Sequence, residues 1–280
     1  MSLHQRILTF MEEAGRIGLA NERTISVNVK SDDSVVTQTD LAISDLFKQS
    51  FKAELADGKH WLLDEESCAD AKVEDILGRD GIQFILDPVD GTATYALRTG
   101  LWGISLAVFT NGKPTHGYIY MPRLQELYVA TPEGAEVTYE PFTSQAHVVK
   151  LGVPNVTTKD LSFGSMGTGI SRYNHWDATI FKSLQPHSLA VALAWMVSGK
   201  VKFSFSWPKL WDVAMALAFL PHTGHRMYSY PSGDEMTHLT ADNIQHQGPH
   251  PWSTITPLLL CLPQDKNTIM AGITDLPQKN

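Results

Sequence analysis

Residues Phe84–Arg98 read FILDPVDGTATYALR, and the rest of the chain is organised around them. An apolar run (Ile82, Phe84, Ile85, Leu86) ends abruptly at Asp87-Pro88-Val89-Asp90-Gly91-Thr92. Two carboxylates three residues apart thus follow an expected buried strand and precede a Gly-Thr turn. Carboxylates near a core are costly unless something cationic compensates them. A hard divalent cation such as Mg²⁺ does so with one or two carboxylates and keeps positions open for water and phosphate. Pro88 removes one backbone donor and stiffens the turn. Gly91 lets the backbone come close to a ligand. A capped strand-to-helix turn with two solvated acids competes with this reading, and D-x-x-D alone does not separate the two.

Composition narrows the alternatives. A chain of 280 residues fits one large domain or two of ordinary size. With 43% hydrophobic and 19% charged residues it can bury a substantial core. The formal charge of −8 argues against a nucleic-acid partner, which would need clustered Lys and Arg. Cys68 and Cys261 stand far apart and outline neither a zinc site nor a disulfide framework. The first residues, MSLHQRILTFMEEAG, lack the apolar core of a signal peptide. No run approaches the ~18 apolar residues of a membrane helix. The expectation is a soluble cytoplasmic protein without membrane association, for which the sequon at Asn155 has no meaning.

Taken in order, Leu3–Glu22 has the spacing of an amphipathic helix, with Ile7, Leu8, Met11, Ala14 and Ile17 on one face. Val27–Lys30 alternates like a short strand, and a polar loop follows at Ser31–Ser34. A second helix is expected over Thr39–Ala56, capped by Thr39 or Asp40. His60–Leu63 is a short strand that ends in Asp64-Glu65-Glu66-Ser67. Three consecutive acids repel one another, by about 1 kcal/mol per close pair even in water. Two neighbouring strands that both end in acids would form a metal cradle. Leu101–Thr110 and Pro114–Tyr120 flank Asn111-Gly112, a strong hairpin signal, and further strands follow to Tyr139. This half is α+β.

Polar, irregular sequence over Pro141–Lys159 suggests a boundary near residue 145, dividing the chain into 1–145 and 146–280. Beyond it, a strand at Leu161–Gly164, a small-residue loop at Ser165–Gly169, helices at Tyr173–Leu184, Ser188–Ser198 and Trp211–Leu220, and strands at Val201–Phe205 and Leu258–Leu262 suggest an α/β half. Trp211-Asp212 places an acid in the first turn of an apolar helix, where it complements the helix dipole or serves a site. Trp176-Asp177 shows that the dipeptide by itself is not specific.

Four blocks, taken together, resemble the inositol monophosphatase family of Mg²⁺-dependent, lithium-sensitive phosphatases. They are Lys30 with Val36–Asp40, Asp64–Ser67, Asp87–Thr92 and Trp211–Ala214, in that order. The resemblance implies a layered αβαβα sandwich of the inositol monophosphatase and fructose-1,6-bisphosphatase type, commonly a homodimer. It implies two or three Mg²⁺ ions, one on Glu65, Asp87 and the Val89 carbonyl and a second on Asp87, Asp90 and Asp212. Glu65 would help hold the third through water. Thr92, with Glu65 or Glu66, would orient the attacking water, and Asp40 would hydrogen-bond Thr92. The Gly91 and Thr92 amides would hold the phosphate. The implied activity is hydrolysis of a small phosphate monoester by a metal-activated water, and physics agrees. Phosphate monoesters hydrolyse extremely slowly unaided, and a metal pair stabilises both the attacking and the leaving oxygen.

The chain also departs from the family. The acid that contacts inositol seven positions before the Trp-Asp aspartate is replaced by Phe205. The Arg and Gly usual before the Ser188 helix are replaced by Gln185-Pro186-His187. The leaving-group pocket therefore looks altered. Lys209 and Arg98 would contact an anionic substrate, and the aromatic pair Phe205 and Trp207 would favour a nucleotide or an imidazole-bearing alcohol. Candidate substrates are sugar or inositol phosphates, histidinol phosphate and 3′-phosphonucleotides. A regulatory or binding protein that retains the fold is the alternative. A metal-dependent nuclease would need a basic groove that the sequence does not offer.

Overall fold

The computed structural model describes residues 1–24, 27–29, 35–69, 71–154, 162–167, 169–248 and 250–275. Lys30, the Ser31–Ser34 loop, the sequon at Asn155 and Thr168 lie outside the described residues.

The outermost layer is a helix pair. Leu3–Asn21 begins with a capping box in which Ser2 Oγ accepts from the Gln5 amide and Gln5 Oε1 accepts from the Ser2 amide. The second helix, Gln38–Ser50, starts earlier than the sequence suggested. Thr37 is its N-cap, and Asp40 sits at the third position, where it accepts from the Thr37 amide at 2.8 Å. T-x-x-D over Thr37–Asp40 is thus a capping box. Ile7, Phe10, Met11 and Ala14 of the first helix and Ile43 and Phe47 of the second are fully buried against a sheet.

That sheet has seven strands in the order His60–Asp64, Ile82–Asp90, Gly103–Thr110, Lys113–Met121, Glu126–Thr131, Gly134–Tyr139, His147–Leu151. The first pair is parallel and the remaining pairs are antiparallel. Asn111 (φ 52°) and Gly112 (φ 71°) make the expected tight hairpin. His147–Leu151 pairs with Gly134–Tyr139, so the first sheet runs past the expected boundary at 145.

A middle layer of three helices, Leu189–Val197, Leu210–Val213 and Ala216–Thr223, covers the other face. These helices are apolar nearly all round because sheets enclose them on both sides. The expected single helix over Trp211–Leu220 is split in two between Val213 and Ala216. The second sheet follows in the order Lys182–Leu184, Phe163–Met166, Phe203–Ser206, Leu258–Cys261, Arg226–Ser229, Glu235–Met236. Its outer face packs on the helix Lys266–Ala271 through Ile269. The layers are therefore helix, sheet, helix, sheet, helix.

The helix expected over Tyr173–Leu184 does not form. The segment holds two strands, Asn174–Trp176 and Lys182–Leu184, joined through a turn in which Asp177 Oδ1 accepts from the Thr179 amide and hydroxyl. The strands pair with Ile273–Asp275 and Phe163–Met166, partners distant in sequence, and this non-local pairing overrides the local helical spacing.

Candidate active site

The strand Ile82–Asp90 delivers the first two acids. Its side chains alternate between layers: Phe84 and Leu86 face the outer helices, and Ile85 faces the middle helices. Continued alternation turns Asp87 toward the middle layer. The pairing register with Gly103–Thr110 then shifts between Asp87 and Asp90. Such a bulge re-aims side chains: Val89 returns to the outer core, and Asp90 turns toward the middle helices.

Both acids are buried and held. Asp87 Oδ1 accepts from the Val89 amide at 3.0 Å. Asp90 Oδ2 accepts from Ser188 Oγ at 2.5 Å and from the Ala190 amide at the start of the helix Leu189–Val197. Gly91 is left-handed (φ 87°), and a Cβ there would meet the Ser188 Cβ at 2.7 Å, so this turn admits only glycine. The helix Leu210–Val213 supplies Asp212, whose Oδ2 accepts from the Lys209 amide at 2.9 Å.

Asp87, Asp90 and Asp212 each present a carboxylate oxygen, and these atoms lie within 4.8 Å of one another. Burial, and then the charges of Glu65, Asp90, Asp212 and Asp40, drive the Asp87 carboxyl well above the usual carboxylate range. Burial and the charge of Asp90 push Asp212 up to about 7. Asp90 is raised by burial, against the opposing hydrogen bonds from Ser188, Ala190 and Leu189. Hard oxygen donors that repel one another in a cluster of two buried acids and one half-buried one fit a hard divalent cation such as Mg²⁺.

The other sequence candidates surround this cluster. Glu65 is outside the three-oxygen group, yet its charge is the second cause of the Asp87 shift, and its Oε1 lies 3.9 Å from Lys209 Nζ. The three consecutive acids are separated: Asp64 turns inward to Ser67 Oγ (2.9 Å), Lys48 Nζ (3.1 Å) and Ser44 Oγ. Glu66 lies close enough to Asp40 to raise that carboxyl. Thr92 Oγ1 donates to the Val89 carbonyl at 3.0 Å. Asp40 bonds Thr37 through Oδ2; among the described residues its Oδ1 has no hydrogen-bond partner and the expected bond to Thr92 is not made. Burial pushes Asp40 up to about 6. Arg98 donates to the Arg23 carbonyl at 3.0 Å.

Phe205 requires a correction. It is fully buried on the outer face of the second sheet, edge-on to Tyr230 with ring centroids 5.0 Å apart, and does not line the leaving-group side. Strand alternation puts Phe203 and Phe205 together in that core. Ser188, in contrast, escaped notice as a site residue. Its place before an apolar helix marks an N-cap, but nothing in the sequence signals that its hydroxyl also holds Asp90.

Comparison with known proteins follows the same lines. Residues 5–241 match the inositol monophosphatase family. The chain is 27% identical over 228 residues to Inositol monophosphatase 1 of Solanum lycopersicum, covering 79% of this chain and 81% of that one. It is 31% identical over 128 residues to the histidinol-phosphatase of Chlorobaculum parvum, 45% of this chain and 46% of the relative. A solved IMPase/NADP phosphatase complexed with Mg²⁺ and phosphate superposes with a TM-score of 0.73 at 20% identity, covering 96% of this chain and 94% of that one.

Proposed function

This chain belongs to the inositol monophosphatase family, and we propose that it hydrolyses a small phosphate monoester with Mg²⁺ as cofactor. The convergence of the Asp87, Asp90 and Asp212 carboxylates to within 4.8 Å carries the reading. Two or three Mg²⁺ ions held by these acids, Glu65 and the Val89 carbonyl would stabilise charge on the phosphate oxygens and supply a nucleophile near neutral pH.

The chain's own groups do the positioning. The Gly91 and Thr92 amides donate to the phosphate. The Thr92 hydroxyl, with Glu65 or Glu66, orients the attacking water. Ser188 holds Asp90 in place through its 2.5 Å hydrogen bond. Asp40 is tied to the Thr37 amide by a 2.8 Å bond, and burial, with a smaller contribution from the charge of Glu66, raises its carboxyl. Lys209 Nζ, 3.9 Å from Glu65, offers a cation on the leaving-group side. Relatives named as an inositol monophosphatase, a histidinol-phosphatase and a 3′(2′),5′-bisphosphate nucleotidase set the range of esters to try.

The test is phosphate release from inositol 1-phosphate, histidinol phosphate and 3′-phosphoadenosine 5′-phosphate. Turnover is expected with Mg²⁺, is expected to vanish with a chelator, and is expected to fall by at least about 100-fold in Asp90→Asn. Near wild-type turnover in that variant refutes the assignment. A protein that releases phosphate from none of the esters would instead be a binding protein on a phosphatase fold.

A further inference from the structure

We propose that Tyr173 and Trp207 form the leaving-group wall of this site and select an ester whose alcohol carries a planar heteroaromatic ring; the inference rests on the phosphatase reading above. Every Trp, Tyr and Phe of the chain is buried or half-buried except two. Those two, Trp207 at 43% and Tyr173 at 47% exposure, touch one another, with ring centroids 6.0 Å apart at 68°. Large aromatic surface left in water at one spot is an informative exception to burial, since such patches mark binding sites.

Trp207 is held ready. The Trp207 indole N–H donates to the Thr254 carbonyl, which fixes the ring plane. Thr254 is itself buried, and its amide donates to the Pro208 carbonyl at 2.8 Å. Lys209 bridges to Ser253 in the same antiparallel contact. A ring that docks here therefore orders little that is not already ordered.

The pair is also joined to the acids through the segment from Trp207 to Asp212. Trp207 follows the strand Phe203–Ser206 at its C-terminal end, beside the end of its parallel neighbour Phe163–Met166. Ligands of sheets with parallel strands gather at such ends. Two residues of chain, no more than about 7 Å, separate Trp207 from Lys209. Lys209 donates its amide to Asp212 at 2.9 Å and brings its ammonium 3.9 Å from Glu65. A phosphate on the acidic cluster would then leave its alcohol toward a cation and an open corner of two rings inclined at 68°. A flat, polarisable ring uses that corner by stacking on one face and meeting the other edge-on.

The experiment compares Trp207→Ala, Tyr173→Ala and Trp207→Phe with the wild type on four esters. Histidinol phosphate and 3′-phosphoadenosine 5′-phosphate carry flat rings; glycerol 2-phosphate and inositol 1-phosphate do not. Trp207→Ala is expected to lower kcat/KM about 10–100-fold on the ring-bearing esters, mostly through KM, and by less than about twofold on the others. Tyr173→Ala is expected to show a smaller loss of the same kind, and Trp207→Phe to restore most of it. The imidazole and purine arms identify the ring. An equal fall on all four esters, no fall, or wild-type preference for the saturated esters overturns the proposal. So does a change of oligomeric mass in Trp207→Ala, which would make the corner a contact between copies. Should the wild type hydrolyse none of them, the phosphatase reading fails. Calorimetric binding of the ring-bearing esters then decides on the pair alone: binding lost in Trp207→Ala supports it, and unchanged binding overturns it.

Discussion

Replacing Asp212 by Asn should stabilise the metal-free protein and blunt its response to Mg²⁺. Burial and the charge of Asp90 raise the Asp212 carboxyl from 3.8 to about 7. Each pKa unit is worth about 1.4 kcal/mol, so at pH 8 the ionised side chain costs the native state roughly 4 kcal/mol. The second cause is sizeable by itself: two charges at the 4.8 Å limit of the cluster repel by about 3 kcal/mol at an effective dielectric constant of about 20. The native state binds this proton more tightly than the unfolded chain does. The stabilisation from protonation is therefore complete below pH 3.8 and is lost as the pH rises through about 7. Asn keeps an acceptor for the Lys209 amide and removes the charge. Local relaxation reduces the gain to about 2 kcal/mol at pH 8, or roughly 4–8 °C in Tm, and the gain should shrink at pH 5. Scanning calorimetry of metal-free protein at both pH values measures this. Mg²⁺ should then raise the wild type by about 3 kcal/mol at a hundredfold excess over Kd and the variant by less than half of that. A metal-free variant less stable than wild type at pH 8, or an equal gain at both pH values, would refute the electrostatic account of the cluster.

Two further substitutions separate holding from packing. Ser188→Ala removes both the donor to Asp90 (2.5 Å) and the N-cap acceptor for the Val191 amide (3.2 Å). It should cost about 1 kcal/mol of stability in urea and lower Mg²⁺ affinity about 10–100-fold by titration calorimetry, with Ser188→Thr retaining both. Phe205→Ala empties a fully buried core position and should cost about 3–5 kcal/mol, with KM for each ester nearly unchanged in the folded fraction. A raised KM without lost stability would return Phe205 to the pocket.

The legible parts of this fold were those in which chemistry and periodicity coincide. Ile82–Leu86 announces a buried strand because nothing else accounts for a short β-rich run that stops at two acids. Asn111-Gly112 fixed a hairpin because few other residue pairs adopt two positive φ angles cheaply. Asp212 is different. Its sequence surroundings describe a helix start as well as a ligand, and only the company of the other blocks favours the ligand reading. The Tyr173–Leu184 strands were illegible because what decides them lies far away, in Ile273–Asp275 and Phe163–Met166. Ser188 was half legible: a cap is a local fact, whereas a hydrogen bond to Asp90 across 98 positions is a tertiary one.

Phe205 shows why spacing alone misleads near a site. Counting back seven residues from Asp212 crosses Trp207-Pro208-Lys209, which belongs to neither the strand nor the helix. Side-chain direction is fixed by period within one element, and that rule lapses across such a junction. Inside the strand Phe203–Ser206 the period of two holds, and it sends Phe203 and Phe205 into the outer core. Trp207, the first residue beyond the strand, is released from that alternation and takes its direction from the Thr254 carbonyl instead. The exposed aromatic pair is instead Trp207 and Tyr173, a residue no count from Asp212 would reach, and it is this pair that the proposal puts on the leaving-group side. Where the strand ends, at Ser206, is therefore what sorts the buried Phe203 and Phe205 from the solvent-exposed Trp207.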